Sequence, residues 1–150
     1  MSGLKYKILF VCIHNSARSQ MAEAFLKKYG SEHFEAESAG LEPGKLNPIV
    51  VEVMKEAGID ISNNGTQSVF DLFRKGRLYN AVVTVCDEAR AESCPIFPGR
   101  VKRVAWSFAD PSSFTGSKEE ILKKTAEVRD EIEQKVIGFV KEAEELMYWV

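Results

Sequence analysis

Cys12 and Arg18 stand with five residues between them in "VCIHNSARSQ" (residues 11–20), His14, Asn15 and Ser16 among those five and Ser19 directly after. A thiol and a guanidinium at the two ends of one short polar loop suit the chemistry of a tetrahedral oxyanion. Arg18 is planar and permanently charged, so it can hold two oxygens at once and balance charge that builds in a transition state. Cys12, at the floor of the loop, is a nucleophile where nearby dipoles and a guanidinium favour thiolate over thiol. The hydroxyls of Ser16 and Ser19 are donors for the same sulfur or for the oxyanion. A glycine-rich nucleotide loop would need a Gly and Lys pattern that is missing here.

A bare Cys-x5-Arg spacing arises easily by chance, and its plain alternative is a buried strand-end cysteine beside a surface arginine. The flanking elements favour the chemical reading. Residues 6–12 form a short apolar, β-rich run, and residues 17–29 place Met21, Ala22, Phe25 and Leu26 at helical spacing, with Gly30 expected to stop the helix. The loop then joins a strand to a helix, where unpaired backbone N–H groups and the helix dipole cradle an anion. The expected oxyanion-binding set is Cys12, Ile13, His14, Asn15, Ser16, Ala17, Arg18 and Ser19, with His14 placed to tune the site and His33 at the surface.

Further strands are expected at 34–39, 81–86 and 100–106, and helices at 48–57, 69–75 and 118–147, with Gly58 capping the second helix. The run 81–86 (AVVTVC) is almost unbroken β-branched sequence, the pattern of a strand buried on both faces of a parallel sheet. Strands separated by helices imply an α/β fold with right-handed crossovers, and ligands of such sheets bind beyond the carboxyl ends of the strands. Cys86 ends the third strand and so emerges on the same sheet edge as Cys12. Between Cys86 and Cys94 lies a stretch of helix formers; if it is helical, the two sulfurs are roughly 12 Å apart, too far for a disulfide unless the segment unwinds. The plain reading makes Cys86 a small core residue and Cys94 a bystander beside Pro95. Asp110, stiffened by Pro111, can donate a proton to a leaving oxygen or position water, against the reading of an ordinary Asp-Pro turn.

The chain has 150 residues, is 45% hydrophobic and carries a net charge of -2, which suits one domain over 1–150 with its own core and offers no basic field for nucleic acid. No run approaches membrane-spanning length and no cleavage-type leader opens the chain, so a cytoplasmic protein without membrane contact is expected. Three cysteines, an odd number without an export signal, argue for thiols that stay reduced or cycle. No His and Cys spacing has the form of a metal site, and nothing suggests an oligomer, so a monomer is expected.

The segments "FVCIHNSARSQMAEAF", "ESAGLEPGKLNP", "EAGIDISNNGTQS", "VVTVCDEARAESCP" and "WSFADP" together resemble the thioredoxin-coupled arsenate reductases built on the low-molecular-weight protein tyrosine phosphatase fold. The resemblance covers residues 5 to about 137. It implies a three-layer α/β sandwich with a four-stranded parallel sheet, phosphotyrosine protein phosphatase I-like, and a role in arsenic detoxification. It implies that Cys12 attacks arsenate held by Arg18 and the loop amides while Asp110 assists departure of hydroxide. Cys86 then attacks Cys12 and releases arsenite, and Cys94 attacks Cys86, so that Cys86 and Cys94 form the redox-active disulfide reduced by thioredoxin. No bound cofactor is implied, and phosphate or sulfate mimic arsenate.

Several positions depart from the family pattern. Ala17 stands where many members have another cysteine, the Cys86 to Cys94 spacing is one residue longer, and Ser112, Ser113 and Phe114 replace the two-tyrosine stretch of the phosphatases. Some members bind potassium; Asn15, Glu23 and Ser38 match those ligands, while Ser68 takes the place of an Asp. The main alternative is a phosphomonoesterase working through a phosphocysteine on Cys12, which has no need of Cys86 and Cys94. A third reading is a non-enzymatic oxyanion or redox sensor whose thiols switch once.

Overall fold

In the computed structural model, which describes residues 5–86 and 94–146, β1 (Tyr6–Cys12), β2 (Phe34–Gly40), β3 (Ala81–Thr84) and β4 (Lys102–Ala105) form one four-stranded sheet. All neighbours are parallel and the order is β2-β1-β3-β4. Helices α1 (Arg18–Gly30), α2 (Pro48–Glu56), α3 (Val69–Arg74) and α4 (Lys118–Leu146) connect and cover the strands.

Alternation along β1 explains the two-sided core. Ile8, Phe10 and Cys12 face a cluster built with Met21 and Phe25 of α1, Met54 of α2, and Ile132 and Val136 of α4. Leu9 and Val11 face the other side, where α3 contributes Val69 and Leu72 beside Tyr79, Val82, Cys94 and Phe97. Both faces of β1 and β3 are covered, which is why they read as continuous apolar runs.

The helix starts follow ordinary capping rules. Asn47 and Ser68 accept the Ile49 and Phe70 N–H groups at the N-termini of α2 and α3, and Pro48 occupies the first turn of α2, where no N–H is needed. Gly58, at φ 82°, follows α2 in the left-handed conformation that closes a helix.

Three expectations need correction. Gly30 does not stop α1; it is the last helical residue, and a Cβ there would lie 2.9 Å from Leu26 Cδ1, 3.0 Å from Phe34 Cδ2 and 3.1 Å from Val140 Cγ2. Glycine is required by close packing between α1, β2 and α4 rather than by a turn. The third strand ends at Thr84, short of Cys86: the Val85 N–H still bonds the Val11 carbonyl at 2.9 Å, but the partner strand stops at Ala105. The fourth strand is limited to Lys102–Ala105, because as an edge strand it pairs on one side only and exposes Lys102 and Arg103. The expected helix between Cys86 and Cys94 lies outside the described residues.

Candidate active site

From β1 the chain continues to β2 on one side and then crosses to β3 on the other, so the carboxyl end of β1 is the point where the order reverses. Such a switch point opens a crevice above the sheet, and Cys12 ends β1 at its mouth.

The loop after Cys12 is turned by the bonds its carbonyls make. Leu41 N–H donates to the Cys12 carbonyl at 3.1 Å, Glu42 N–H to Ile13 at 2.7 Å, Gly44 N–H to His14 at 2.9 Å and Asn47 N–H to Ser16 at 3.0 Å. Gln20 Nε2 donates to the Asn15 carbonyl at 3.0 Å, and Met21 N–H to Ala17 at 3.0 Å. A trans peptide sets its N–H opposite its carbonyl, so with the carbonyls held outward the N–H groups of this loop turn inward. Asn15 shows it directly, its N–H lying 3.1 Å from Cys12 Sγ. At the end of the loop Ala17 begins α1 without a side-chain cap, which leaves the first amides of the helix for an anion.

Asn15 is the pivot of this arrangement. It is almost fully buried and adopts φ 55°, a left-handed conformation that Asn tolerates better than most residues. Its Oδ1 accepts the Gln67 N–H at 3.0 Å, which fixes the amide, and its Nδ2 donates to Ser19 Oγ and Ser38 Oγ, each at 2.9 Å. With that donor on Ser19 Oγ, the Ser19 proton is directed to Cys12 Sγ, 2.8 Å away. Two donors thus converge on the sulfur and stabilise the negative charge that attack requires. Gly40 makes the approach possible, since a Cβ there would meet Asn15 N and Ile13 O at 2.8 Å.

Of the two serines expected to serve the sulfur or the oxyanion, Ser19 contacts the sulfur, while the backbone carbonyl of Ser16 accepts from Asn47. His14 is exposed, and its Nδ1 contacts the Glu42 carbonyl at 2.8 Å, so its ring ties the loop to the segment that follows β2.

Arg18 is the buried counter-charge. Its side chain is 4% exposed, Nη1 donates to the Phe108 carbonyl at 3.2 Å and Nη2 lies 3.6 Å from Asp110 Oδ2. Asp110 forms the Asp-Pro turn and at the same time faces the arginine. Its Oδ1 accepts from Ser112 N–H at 2.9 Å and Ser112 Oγ at 2.8 Å, capping the short 3-10 turn Pro111–Ser113, and its Oδ2 faces the arginine.

The three cysteines are buried thiols. Cys12 and Cys86 belong to the same core cluster, whereas Cys94 lies in the cluster on the opposite face of the sheet. Burial pushes the Cys94 thiol up to about 11, with the neighbouring Arg103 guanidinium acting against that rise and Cys86 adding to it.

The profile of the low molecular weight phosphotyrosine protein phosphatases matches residues 7–147. The chain belongs to that family. Within it, the chain is 45% identical over 139 residues to an arsenate reductase of Shouchella clausii, an alignment covering 91% of this chain and 96% of the relative. An arsenate reductase solved in a phosphate-binding state superposes with a TM-score of 0.71 at 27% identity, over 93% of this chain and 98% of that one. A thioredoxin-dependent arsenate reductase of Corynebacterium glutamicum superposes with a TM-score of 0.59 at 26% identity, over 91% of this chain and 64% of its own.

The residues matching the potassium ligands of some family members also come together. Ser38 Oγ donates to Glu23 Oε1 at 2.5 Å, and Asn15 Nδ2 to Ser38 Oγ, while the second Glu23 oxygen is paired with Lys27 at 2.5 Å. Ser68 spends its hydroxyl on the N-terminus of α3. The donor set fits a monovalent ion poorly: the Asn15 amide nitrogen, not its oxygen, is turned to the cluster, and an ammonium already neutralises Glu23.

Sequence reasoning did not single out Gln20, Gly40 and Gln67 as parts of the site. None carries chemistry. Gln20 holds the Asn15 carbonyl through its side-chain amide, while Gly40 and Gln67 act on the Asn15 loop through their backbone from segments far along the chain.

Proposed function

We propose that this protein reduces arsenate to arsenite through Cys12, Cys86 and Cys94. The observation that carries the reading is the placing of a second buried thiol, Cys86, in the same core cluster as the loop nucleophile Cys12, at the site edge of the sheet. A phosphate ester is hydrolysed by Cys12, Arg18 and Asp110 alone; the added thiol has a use only if electrons move.

The loop amides and Arg18 hold the arsenate oxygens, and Cys12 Sγ attacks arsenic(V), expelling hydroxide that Asp110 protonates to water. Cys86 Sγ then attacks Cys12 Sγ; the electron pair of the S–As bond stays on arsenic, which leaves as arsenite, and a Cys12–Cys86 disulfide remains. Arsenic gains two electrons and two thiols supply them. Cys94 next displaces Cys12 from Cys86, and the dithiol of thioredoxin reduces the resulting Cys86–Cys94 disulfide. The high identity to a named arsenate reductase and the likeness to a thioredoxin-dependent one support substrate and reductant. The Cys94 position on the far face of the sheet supports a relay that carries the disulfide away from the anion loop.

Steady-state NADPH consumption with arsenate, thioredoxin and thioredoxin reductase tests the reading. Turnover is expected in the unmodified protein and at least a thousandfold less in Cys12→Ser, Cys86→Ser and Cys94→Ser, as removal of an essential nucleophile typically costs on the order of 10³ or more. Absence of arsenate turnover, with phosphate-ester hydrolysis that needs Cys12 and survives loss of Cys86 and Cys94, would identify a phosphatase instead.

A further inference from the structure

We propose that Arg103 is a positioning residue for the last exchange of the relay, its guanidinium stabilising the Cys94 thiolate that attacks Cys86. The inference rests on the arsenate-reductase reading and names a residue the anion site does not contain.

The placement follows from strand register. Arg103 pairs with Val82 across β3 and β4, and Val82 sits in the same cluster as Cys94, on the face of the sheet away from Cys12. Residues two apart on a strand share a face, and Val101 packs against that cluster while Val104 and Trp106 pack against the other. Arg103 therefore projects to the Cys94 side. It is exposed, so its charge keeps water while its field reaches the buried sulfur.

Among the described residues, the ionisable groups that act on Cys94 are Arg103 from β4 and Cys86 beyond β3, with opposite effects. Tyr79, in the same cluster, holds its phenol on Glu37 of β2 at 3.0 Å. Helix α3 turns Val69 and Leu72 to the cluster and pairs its own Asp71 and Arg74 at the surface.

The need is chemical. Cys94 must lose its proton to solvent before its sulfur can form a bond to Cys86, breaking the Cys12–Cys86 bond and releasing Cys12 as thiolate. Burial opposes that ionisation, and a nearby cation is what counters it. For every tenfold loss of thiolate, the more basic sulfur regains about threefold in nucleophilicity, so the net loss of rate is about threefold.

Two measurements on the full chain test the assignment. In rapid-quench single turnovers with arsenate, Arg103→Gln should release arsenite at the wild-type rate yet convert the Cys12–Cys86 disulfide to Cys86–Cys94 about threefold or more slowly at pH 7, with Arg103→Lys restoring most of the rate. In Cys12→Ser/Cys86→Ser protein, where Cys94 is the only thiol, the pH midpoint of alkylation by iodoacetamide should move upward on adding Arg103→Gln. An unchanged midpoint, or disulfide exchange at the wild-type rate in Arg103→Gln, overturns the assignment. If the wild type forms no arsenite, the functional reading fails while the alkylation midpoint still decides whether Arg103 governs Cys94.

Discussion

At the scale of single residues, the site works by holding a few polar groups in one orientation. Asn15 fixes the loop through four hydrogen bonds, and its donation to Ser19 Oγ favours the Ser19 hydroxyl as donor to Cys12 Sγ. A hydrogen bond to a charged partner contributes about 1.5–3 kcal/mol, so Ser19→Ala should slow single-turnover arsenite release by about tenfold or more. Arsenate affinity should change little, because Arg18 and the loop amides remain. A rate within twofold of wild type would show that the sulfur does not depend on this hydroxyl. The residues proposed to do chemistry, Cys12, Arg18 and Asp110, were legible in the sequence because the loop between Cys12 and Arg18 joins a strand to a helix and Asp110 follows the fourth strand in a loop stiffened by Pro111. Gln20 was not, because a glutamine shows its use only when the carbonyl it reaches, that of Asn15, is known.

At the scale of elements, the loop is shaped from outside by the segment following β2. The N–H groups of Leu41, Glu42, Gly44 and Asn47 take four of its carbonyls, and Gly40 lets that segment come close enough to do so. Every atom that a Cβ at Gly40 would strike, Asn15 N, Ile13 O and His14 C, is backbone, so no side chain can swing aside. Gly40→Ala should cost about 1–3 kcal/mol in urea unfolding, the usual penalty for forcing extra volume into a packed site. It should also lower arsenate turnover by more than tenfold, because the amides lose their aim; a variant with native stability and turnover would refute the account. Strand and helix positions were largely readable from periodicity, since β1 and β3 are mostly apolar and α1, α2 and α4 carry apolar stripes. The ends were less readable. Gly30, the last residue of α1, is needed for close packing rather than for a turn, and β3 stops before Cys86; both features depend on a neighbouring element that the local sequence does not name.

At the scale of the whole molecule, the sheet separates the thiols. Cys12 and Cys86 lie in the cluster under α1 and α4, while Cys94 lies in the cluster under α3, so the proposed relay has to pass around the carboxyl end of β3. Burial of Cys94 has a cost at alkaline pH. In the folded protein its thiol is pushed up to about 11 by desolvation, whereas in the unfolded chain it ionises near 9.0. Stability associated with the neutral thiol is therefore complete below pH 9 and is lost as pH rises from 9 toward 11, by about 1–2 kcal/mol. Tyr79, raised by burial and by Glu37, adds a loss in the same direction above pH 10. Urea midpoints of the reduced protein should fall across this range, and Cys94→Ala should flatten the part between pH 9 and 10; an equal slope in that variant would remove Cys94 as the cause.

By itself, the sequence determined the anion-loop chemistry, the alternation of strands and helices, and the presence of three thiols outside any disulfide framework. These are local properties: residue type, spacing and period are enough to express them. Only the tertiary structure decided that the loop carbonyls are drawn outward, that Asn15 aims Ser19 at the sulfur, and that Cys94 sits across the sheet from Cys12 beside Arg103. The contacts that hold Asn15 and the loop in place join segments far apart in the chain, Asn15 to Ser38 and Gln67 and β3 to β4, through single hydrogen bonds or strand register. A one-residue slip of β4 would turn Arg103 to the other face, so the pairing of strands, not the order of residues, fixes which face it takes.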